Sequence, residues 1–316
     1  MKSTELYSTY SILAVDAQSG RIGGAVQTHQ MCVGAIIPSI EPGIGAVASQ
    51  SFVNFTFPET ALAMMRRGIE VRRVIKALVK SDAEEEIRQV GILNAAGEAA
   101  VHTGGRCIPE ASHFVGPSYC IQANMMSRPT VVDAMRTAFE SSGGESDLGH
   151  RLLTALQAAQ KEDGDIRGMQ SAALLVLPNE INTPRWKAVY DLRVDESADP
   201  VFEMSRLVRL RSAQLLDEEG ERLYLAGEAK LARRKWQAAR EKAPELEELA
   251  FWQAMSIIGG EESPEALAES VDLLTRHVRP DPRWAQWRSL IERLDMKGFI
   301  KRPGAAKALL EALEGK

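Results

Sequence analysis

The stretch Tyr7-Ser-Thr-Tyr-Ser-Ile-Leu-Ala-Val15, with the turn residues Ala17-Gln-Ser-Gly20 and then Arg21-Ile-Gly-Gly-Ala-Val-Gln-Thr28, decides the fold. Both flanks are rich in β-formers and the middle supplies turn chemistry, so the domain opens on a hairpin. Residues 33–37 and 44–49 read as two further strands, separated by Pro38, Pro42 and Gly43. Six glycines (Gly20, Gly23, Gly24, Gly34, Gly43 and Gly45) fall before residue 50, which implies close sheet packing or backbone approach to a ligand.

Helical spacing follows at 56–67, which stops on Gly68, and at 70–79, with Val71, Val74, Ile75 and Leu78 on one face. Residues 89–94 and 99–103 form a second hairpin around Ala95-Ala-Gly97. Helices resume at 130–139 and 147–159, and strands at 171–177 and 185–192 close the domain. This order lacks the βαβαβ alternation of a doubly wound parallel sheet. An antiparallel, layered α+β fold suits it better, and sheet-on-sheet packing accounts for a run as apolar on both faces as 172–177.

A length of 316 residues allows two domains. Residues 1–200 carry 18 basic and 23 acidic side chains, whereas the shorter 201–316 carries 20 of each and few β-branched runs. Such a composition favours helices laced with surface charge. The boundary is placed near Asp199-Pro200, giving domains 1–200 and 201–316. Mean hydropathy is −0.18, no apolar run approaches a membrane span, and the opening residues lack a signal-peptide core, so a cytoplasmic protein is expected. A net charge of −5 gives no footprint for nucleic acid, and three cysteines without a C-x-x-C pair form no disulfide framework. Neither nucleic acid nor a membrane is expected as a partner.

The five histidines are scattered, with no metal-ligand spacing; no P-loop, G-x-G-x-x-G or G-x-S-x-G occurs, and neither metal nor cofactor is expected. A Cys107–His113 dyad is conceivable, but a free cysteine is more often a small buried hydrophobe. Three polar clusters remain: Ser8-Thr-Tyr-Ser11; Thr103-Gly-Gly-Arg-Cys107 with His113 and Gln122-Ala-Asn124; and Gly164-Asp-Ile-Arg-Gly168 with Gln170-Ser171. On spacing alone, Asp165 and Arg167 form a turn held by an ion pair.

Together, Thr9 to Asp16, Gly45-Ala-Val-Ala-Ser-Gln50, Arg88-Gln89, Thr103-Gly104 with Cys107 and His113, Gln122-x-Asn124-Met125, and Gly164-Asp165-x-Arg167-Gly168-x-Gln170-Ser171-Ala-Ala-Leu-Leu-Val176 resemble the bacterial domain-of-unknown-function 1028 family. The likeness runs in order over residues 8–193. That family in turn resembles the N-terminal-nucleophile hydrolases, which implies a four-layer αββα sandwich and an amidohydrolase acting on a small metabolite or peptide. In such enzymes the first residue attacks a carbonyl while its own α-amine, titrating near pH 8, takes the proton. The resemblance makes Thr9 the nucleophile, with Ser8 as second choice and Asn124 as an oxyanion donor. His29, Gln50, Asn54, Arg88, His113, Asp165, Arg167 and Gln170 are the candidate substrate contacts. The Arg167 fork suits a carboxylate, although Asp165, Arg167 and Arg88 could instead form a buried ion-pair network.

Eight residues, Met1 to Ser8, precede Thr9 and tie its nitrogen into a peptide bond. Catalysis of this kind then requires a later start or removal of the extension. A member that keeps it would be a non-catalytic ligand-binding or scaffold protein.

In the second domain, residues 213–246 fit part of the 34-residue tetratricopeptide template, with Gly220, Ala232, Trp236, Ala239 and Pro244 in register but Leu223 at the tyrosine position. Helices are expected at 245–258, 264–277 and 284–294. Trp236, Trp252, Trp284 and Trp287 are expected to pack between helices. Such repeats could hold a protein partner or a second copy of the chain.

Overall fold

A computed structural model describes residues 6–143 and 147–314. Of the extension ahead of Thr9, residues 1–5 therefore lie outside the described residues. The chain divides into two compact units, Met1–Val208 and Arg209–Lys316.

The first unit is α+β with two antiparallel sheets. One sheet has the order β1 (Leu6–Tyr7), β5 (Gly45–Phe52), β6 (Arg88–Asn94), β7 (Ala99–Thr103), with β4 (Ser39–Glu41) also paired to β5. The other runs β11 (Tyr190–Val194), β10 (Ser171–Pro178), β3 (Arg21–Thr28), β2 (Thr9–Asp16), β9 (Tyr119–Asn124), β8 (Ser112–Gly116). The opening hairpin is thus the centre of the second sheet, and its register runs from Asp16↔Arg21 to Thr9↔Thr28.

Alternation along these strands aims Leu13, Val15, Ile22 and Val26 at a shared core with Ala46, Ala48 and Leu93 of the other sheet. Gly24 is required there, because a Cβ would stand 2.7 Å from Leu13 Cδ2. The first sheet's opposite face, including Val47, Val90 and Ile92, is covered by α1 (Phe57–Arg66) and α2 (Val71–Ser81). Against the second sheet pack α3 (Val131–Ser141) and α4 (Leu148–Lys161). The doubly apolar strand β10 is buried along its length up to Leu177.

Two local expectations are corrected, and one pair of strands is added. Residues 33–37 form no strand: Cys32 takes a left-handed conformation and a 3-10 turn follows at Val33–Ala35. The Val33 N–H donates to Ser171 Oγ at 3.1 Å, while Val33 and Ile37 fill the core between the sheets, so burial rather than pairing accounts for their apolarity. At 185–192 a 3-10 turn at Arg185–Lys187 comes first and β11 starts only at Tyr190. Strands β8 and β9 were not foreseen; Gln122 and Asn124 disguise β9, every residue of which is buried.

From residue 200 onward the chain is helical. Pro200 starts α5 (Pro200–Leu225), and the Asp199 carboxylate accepts the Phe202 N–H at 2.9 Å, so Asp-Pro opens a helix in the manner of an N-cap with proline at the first position. This 26-residue helix runs across the division at Val208 and begins well ahead of the template's start at 213. It is followed by α6 (Ala229–Lys242), α7 (Glu247–Gly260), α8 (Pro264–Leu273) with a π turn at Leu274–Val278, α9 (Trp284–Met296) and α10 (Ala305–Glu314).

Within the second unit Ala232, Trp236 and Ala239 are buried, and Gly220 lies under the Trp236 indole so closely that a Cβ would stand 2.4 Å from its Cδ1. Trp284 and Trp287 pack partly buried against the core, as expected of them. Trp252 does not: it remains 46% exposed. Among the described residues no helix is long and apolar enough to cross a membrane.

Candidate functional site

The hairpin register places polar residues in a row at one end of the second sheet. Asn124, Thr9, Thr28 and Ser171 are successive cross-strand partners on β9, β2, β3 and β10, and each is fully buried. Four hydroxyl and amide side chains at strand ends, shut away from water, need partners or chemistry to explain them.

Facing this row, the first sheet contributes Gln50 and Gln89, themselves cross-strand partners. The Gln50 amide donates to the Thr9 carbonyl at 3.0 Å and to Gln89 Oε1 at 2.8 Å, while Gln50 Oε1 accepts the Ser11 hydroxyl at 2.7 Å. Asn124 Nδ2 donates to Gln89 Oε1 at 3.0 Å. The Gln89 amide reaches Thr103 Oγ1 and the Ala123 carbonyl, both at 2.9 Å, and Gln122 Nε2 reaches the Ala48 carbonyl at 2.8 Å. These amides stitch the two sheets together beside Thr9. They leave Asn124 Oδ1 and Gln122 Oε1 as buried acceptors without a hydrogen-bond partner.

The chain enters this site by crossing between sheets. Leu6 and Tyr7 pair with Phe52 and Ser51 on the edge of β5, and at Ser8 the backbone passes to β2. Ser8 is fully buried and its hydroxyl donates to the Asn124 carbonyl at 3.1 Å. The Ser8 carbonyl oxygen, which belongs to the Ser8–Thr9 peptide, accepts from the Thr28 hydroxyl and from Arg167 Nη2, the latter at 3.4 Å. Arg167 is fixed by Asp165, which takes its Nε and Nη2 at 3.2 and 2.9 Å and its backbone N–H at 2.9 Å. Asp165 is almost fully buried and also accepts the His29 N–H at 3.2 Å. Its charge, after burial, helps to push the Tyr10 phenol well above its ordinary pKa. The Asp165–Arg167 turn is therefore an ion pair as its spacing implies, and it also aims a guanidinium at a peptide carbonyl.

Structure thus gathers Ser8, Thr9, Gln50, Asn124, Asp165 and Arg167, with His29 and Gln170 joined through backbone hydrogen bonds, Gln170 N–H to the Thr28 carbonyl at 3.0 Å. Asn54 and Arg88 form a different cluster. Asn54 holds the start of α1 through Thr56 and donates to Asp82, while Arg88 bonds Asp82 at 2.9 Å, the Phe52 carbonyl at 2.8 Å and Glu84 at 3.1 Å. Burial raises the Asp82 carboxyl, but the bonds from Arg88 and Asn54 outweigh it and hold its pKa low. Arg88 shares no hydrogen bond with Asp165 or Arg167 among the described contacts, so the three do not make one network.

His113 is the cross-strand partner of Gln122, and its side chain meets the site through Thr103. Its Nδ1 lies 2.9 Å from Thr103 Oγ1, which also accepts from Gln89. Burial, with His102 nearby, lowers the His113 pKa and keeps the ring neutral near pH 7. Cys107 makes no dyad with it: burial raises the thiol pKa, and its Sγ contacts the Arg88 carbonyl at 3.3 Å. Among the described residues no group of three His, Cys, Asp or Glu could hold a metal ion.

Sequence reading did not single out Thr28 or the bridging role of Gln89. The first was accessible, because counting back from the turn at 17–20 sets Thr9 opposite Thr28. The second depends on two sheets facing each other, which no local pattern encodes.

Two antiparallel sheets with a buried polar row at the start of β2 define the class of this unit. The model of the Family of unknown function (DUF1028) matches residues 9–204, and the chain belongs to that family. A crystal structure of a DUF1028-family protein from Silicibacter pomeroyi is similar to it, with 29% identity and a TM-score of 0.57 over 64% of this chain and 88% of that one. Among curated proteins none matches the chain.

Proposed function

We propose that the first unit is a hydrolase of the N-terminal-nucleophile type, an αββα sandwich that cleaves an amide bond of a peptide or small metabolite in the cytoplasm, with Thr9 as nucleophile. The observation that carries this reading is the Ser8 carbonyl held between the Thr28 hydroxyl and Arg167 at the first residue of β2. A carbonyl oxygen with two fixed donors, one of them cationic, sits where an oxyanion would be stabilised. Helices against each sheet's outward side agree with the layered architecture of that class.

In the active form Thr9 bears a free α-amine, whether through a later start or removal of the extension. Thr9 Oγ1 bonds to the substrate carbonyl carbon, and its proton passes to the α-amine. The C–N bond then breaks, the amine carries that proton to the departing nitrogen, and an ester to Thr9 remains. Water, deprotonated by the same amine, cleaves the ester and restores the hydroxyl. Thr28, Arg167 and Asn124 stabilise the charged intermediate, while Gln50 fixes the Thr9 backbone through its carbonyl.

A second reading has its own support. Leu6 and Tyr7 are paired to β5 and Ser8 is buried, so the extension fits the fold; with it retained, the first unit is a binding protein. Its tetratricopeptide-like helices would then recruit a partner protein or a second copy, a role suited to the exposed Leu225, Trp252 and Phe299. N-terminal sequencing and intact mass of protein from its own host separate the two. A chain beginning at Thr9, or at the second-choice nucleophile Ser8, supports the hydrolase, and one beginning at Met1 or Lys2 supports the binding protein.

A further inference from the structure

We infer, building on the hydrolase reading, that residues 6–8 occupy the acyl side of the substrate groove, and that the substrate is an extended peptide with a small residue on the acyl side of the cleaved bond. Three observations meet here. First, Leu6 and Tyr7 add as a strand to the edge of β5 at Phe52 and Ser51, the kind of main-chain pairing by which a sheet edge takes up a peptide. β4 pairs with the same strand only at Val47, Ala46 and Gly45, away from the direction past Phe52 in which residues ahead of Leu6 would run in this antiparallel register. Second, a cavity of about 530 Å3 is lined by Val53 and Phe55, which follow Phe52 in that direction, together with Leu62, Ser39 and Ser49, giving a longer peptide space beyond the paired residues.

Third, the position next to the bond is closed. Ser8 is 0% exposed, its hydroxyl is committed to the Asn124 carbonyl, and its own carbonyl is committed to Thr28 and Arg167. A residue the size of serine or alanine fits that space, whereas a large side chain would have to displace Asn124 or Thr28 in a packed interior. Specificity on the acyl side therefore combines sequence-tolerant strand pairing with rejection of bulk at one position.

The test uses the full chain, a chain released from a fusion so that it begins at Thr9, and the peptide Lys-Ser-Thr-Glu-Leu-Tyr-Ser as probe, read by titration calorimetry. Binding is expected to the Thr9-initiated protein and to be at least 100-fold weaker with the full chain, whose own segment fills the groove. The same peptide ending in Phe is expected to bind at least tenfold more weakly than the one ending in Ser. Should the shortened protein lose its fold by circular dichroism, a full chain carrying Leu6→Asp and Tyr7→Pro, which unseats the segment, replaces it with the same expectations. Equal binding to blocked and unblocked proteins, no binding to either, or indifference to Phe would overturn the inference. Selective peptide binding without turnover of any peptide amide removes the hydrolase reading and keeps the groove; turnover indifferent to residue size does the reverse.

Discussion

At the residue scale, the chemistry rests on which hydroxyl and amide groups share the Thr9 row. Thr28→Val keeps shape and deletes one donor to the carbonyl site, so in Thr9-initiated protein it is expected to lower kcat about 100-fold with KM little changed, as removal of an oxyanion donor does. A fall in KM affinity at constant kcat would instead make Thr28 a ground-state contact. Gln89 accepts from Gln50 and Asn124 and donates to Thr103 and Ala123, and all of it is buried. Gln89→Leu strands those partners, and urea unfolding is expected to show a loss of roughly 2–4 kcal/mol. The sequence displayed these residue types, but Gln50, Gln89 and Asn124 become one network only when the sheets stack.

At the scale of elements, α4 is tied down at its first turn by Asp147, which accepts the His150 N–H at 3.1 Å and the Tyr190 hydroxyl of β11 at 2.8 Å. Burial raises this carboxyl, yet the hydrogen bonds from His150 and Tyr190 prevail and bring its pKa down to about 2. A folded-state pKa below the unfolded value near 4 adds stability that is complete above about pH 4 and disappears as pH falls towards 2. Its size is about 2 kcal/mol. Asp147→Asn is therefore expected to flatten the pH dependence of stability between 4 and 2, followed by chemical denaturation across that range; an unchanged slope would dissociate Asp147 from acid unfolding. Amphipathic spacing made the helices legible, since α1 and α2 stand within two residues of where period and glycine stop place them. Strand β9 was not legible, because a strand buried on both faces between β2 and β8 need not alternate, and its polar residues serve the sheet interface.

At the scale of the whole molecule, each unit has its own apolar core: one between the sheets around Leu13, Ile22 and Leu93, another among the C-terminal helices around Phe251, Ile258 and Leu274. A lesion in one core should then leave the other standing. Gly220→Val drives side-chain atoms into the Trp236 indole, and calorimetry is expected to show a transition of the helical unit lowered by 5 °C or more, with that of the sheet unit unmoved. A joint shift of both transitions would mean the two cores unfold as one.

By itself the sequence determined the opening hairpin, the antiparallel α+β class of the first unit, the helical character of the remainder and the family. These follow from local turn chemistry, apolar period and motif order, which act over a few residues each. Only the tertiary structure decided that Thr9, Thr28, Asn124 and Ser171 form one buried row, that Arg88 belongs to the Asp82 cluster rather than beside Arg167, and that the Ser8 carbonyl rests on Thr28 and Arg167. The reason is physical: register across strands and the stacking of two sheets bring together residues as far apart as Ser8 and Arg167, 159 positions, and no local propensity carries that information.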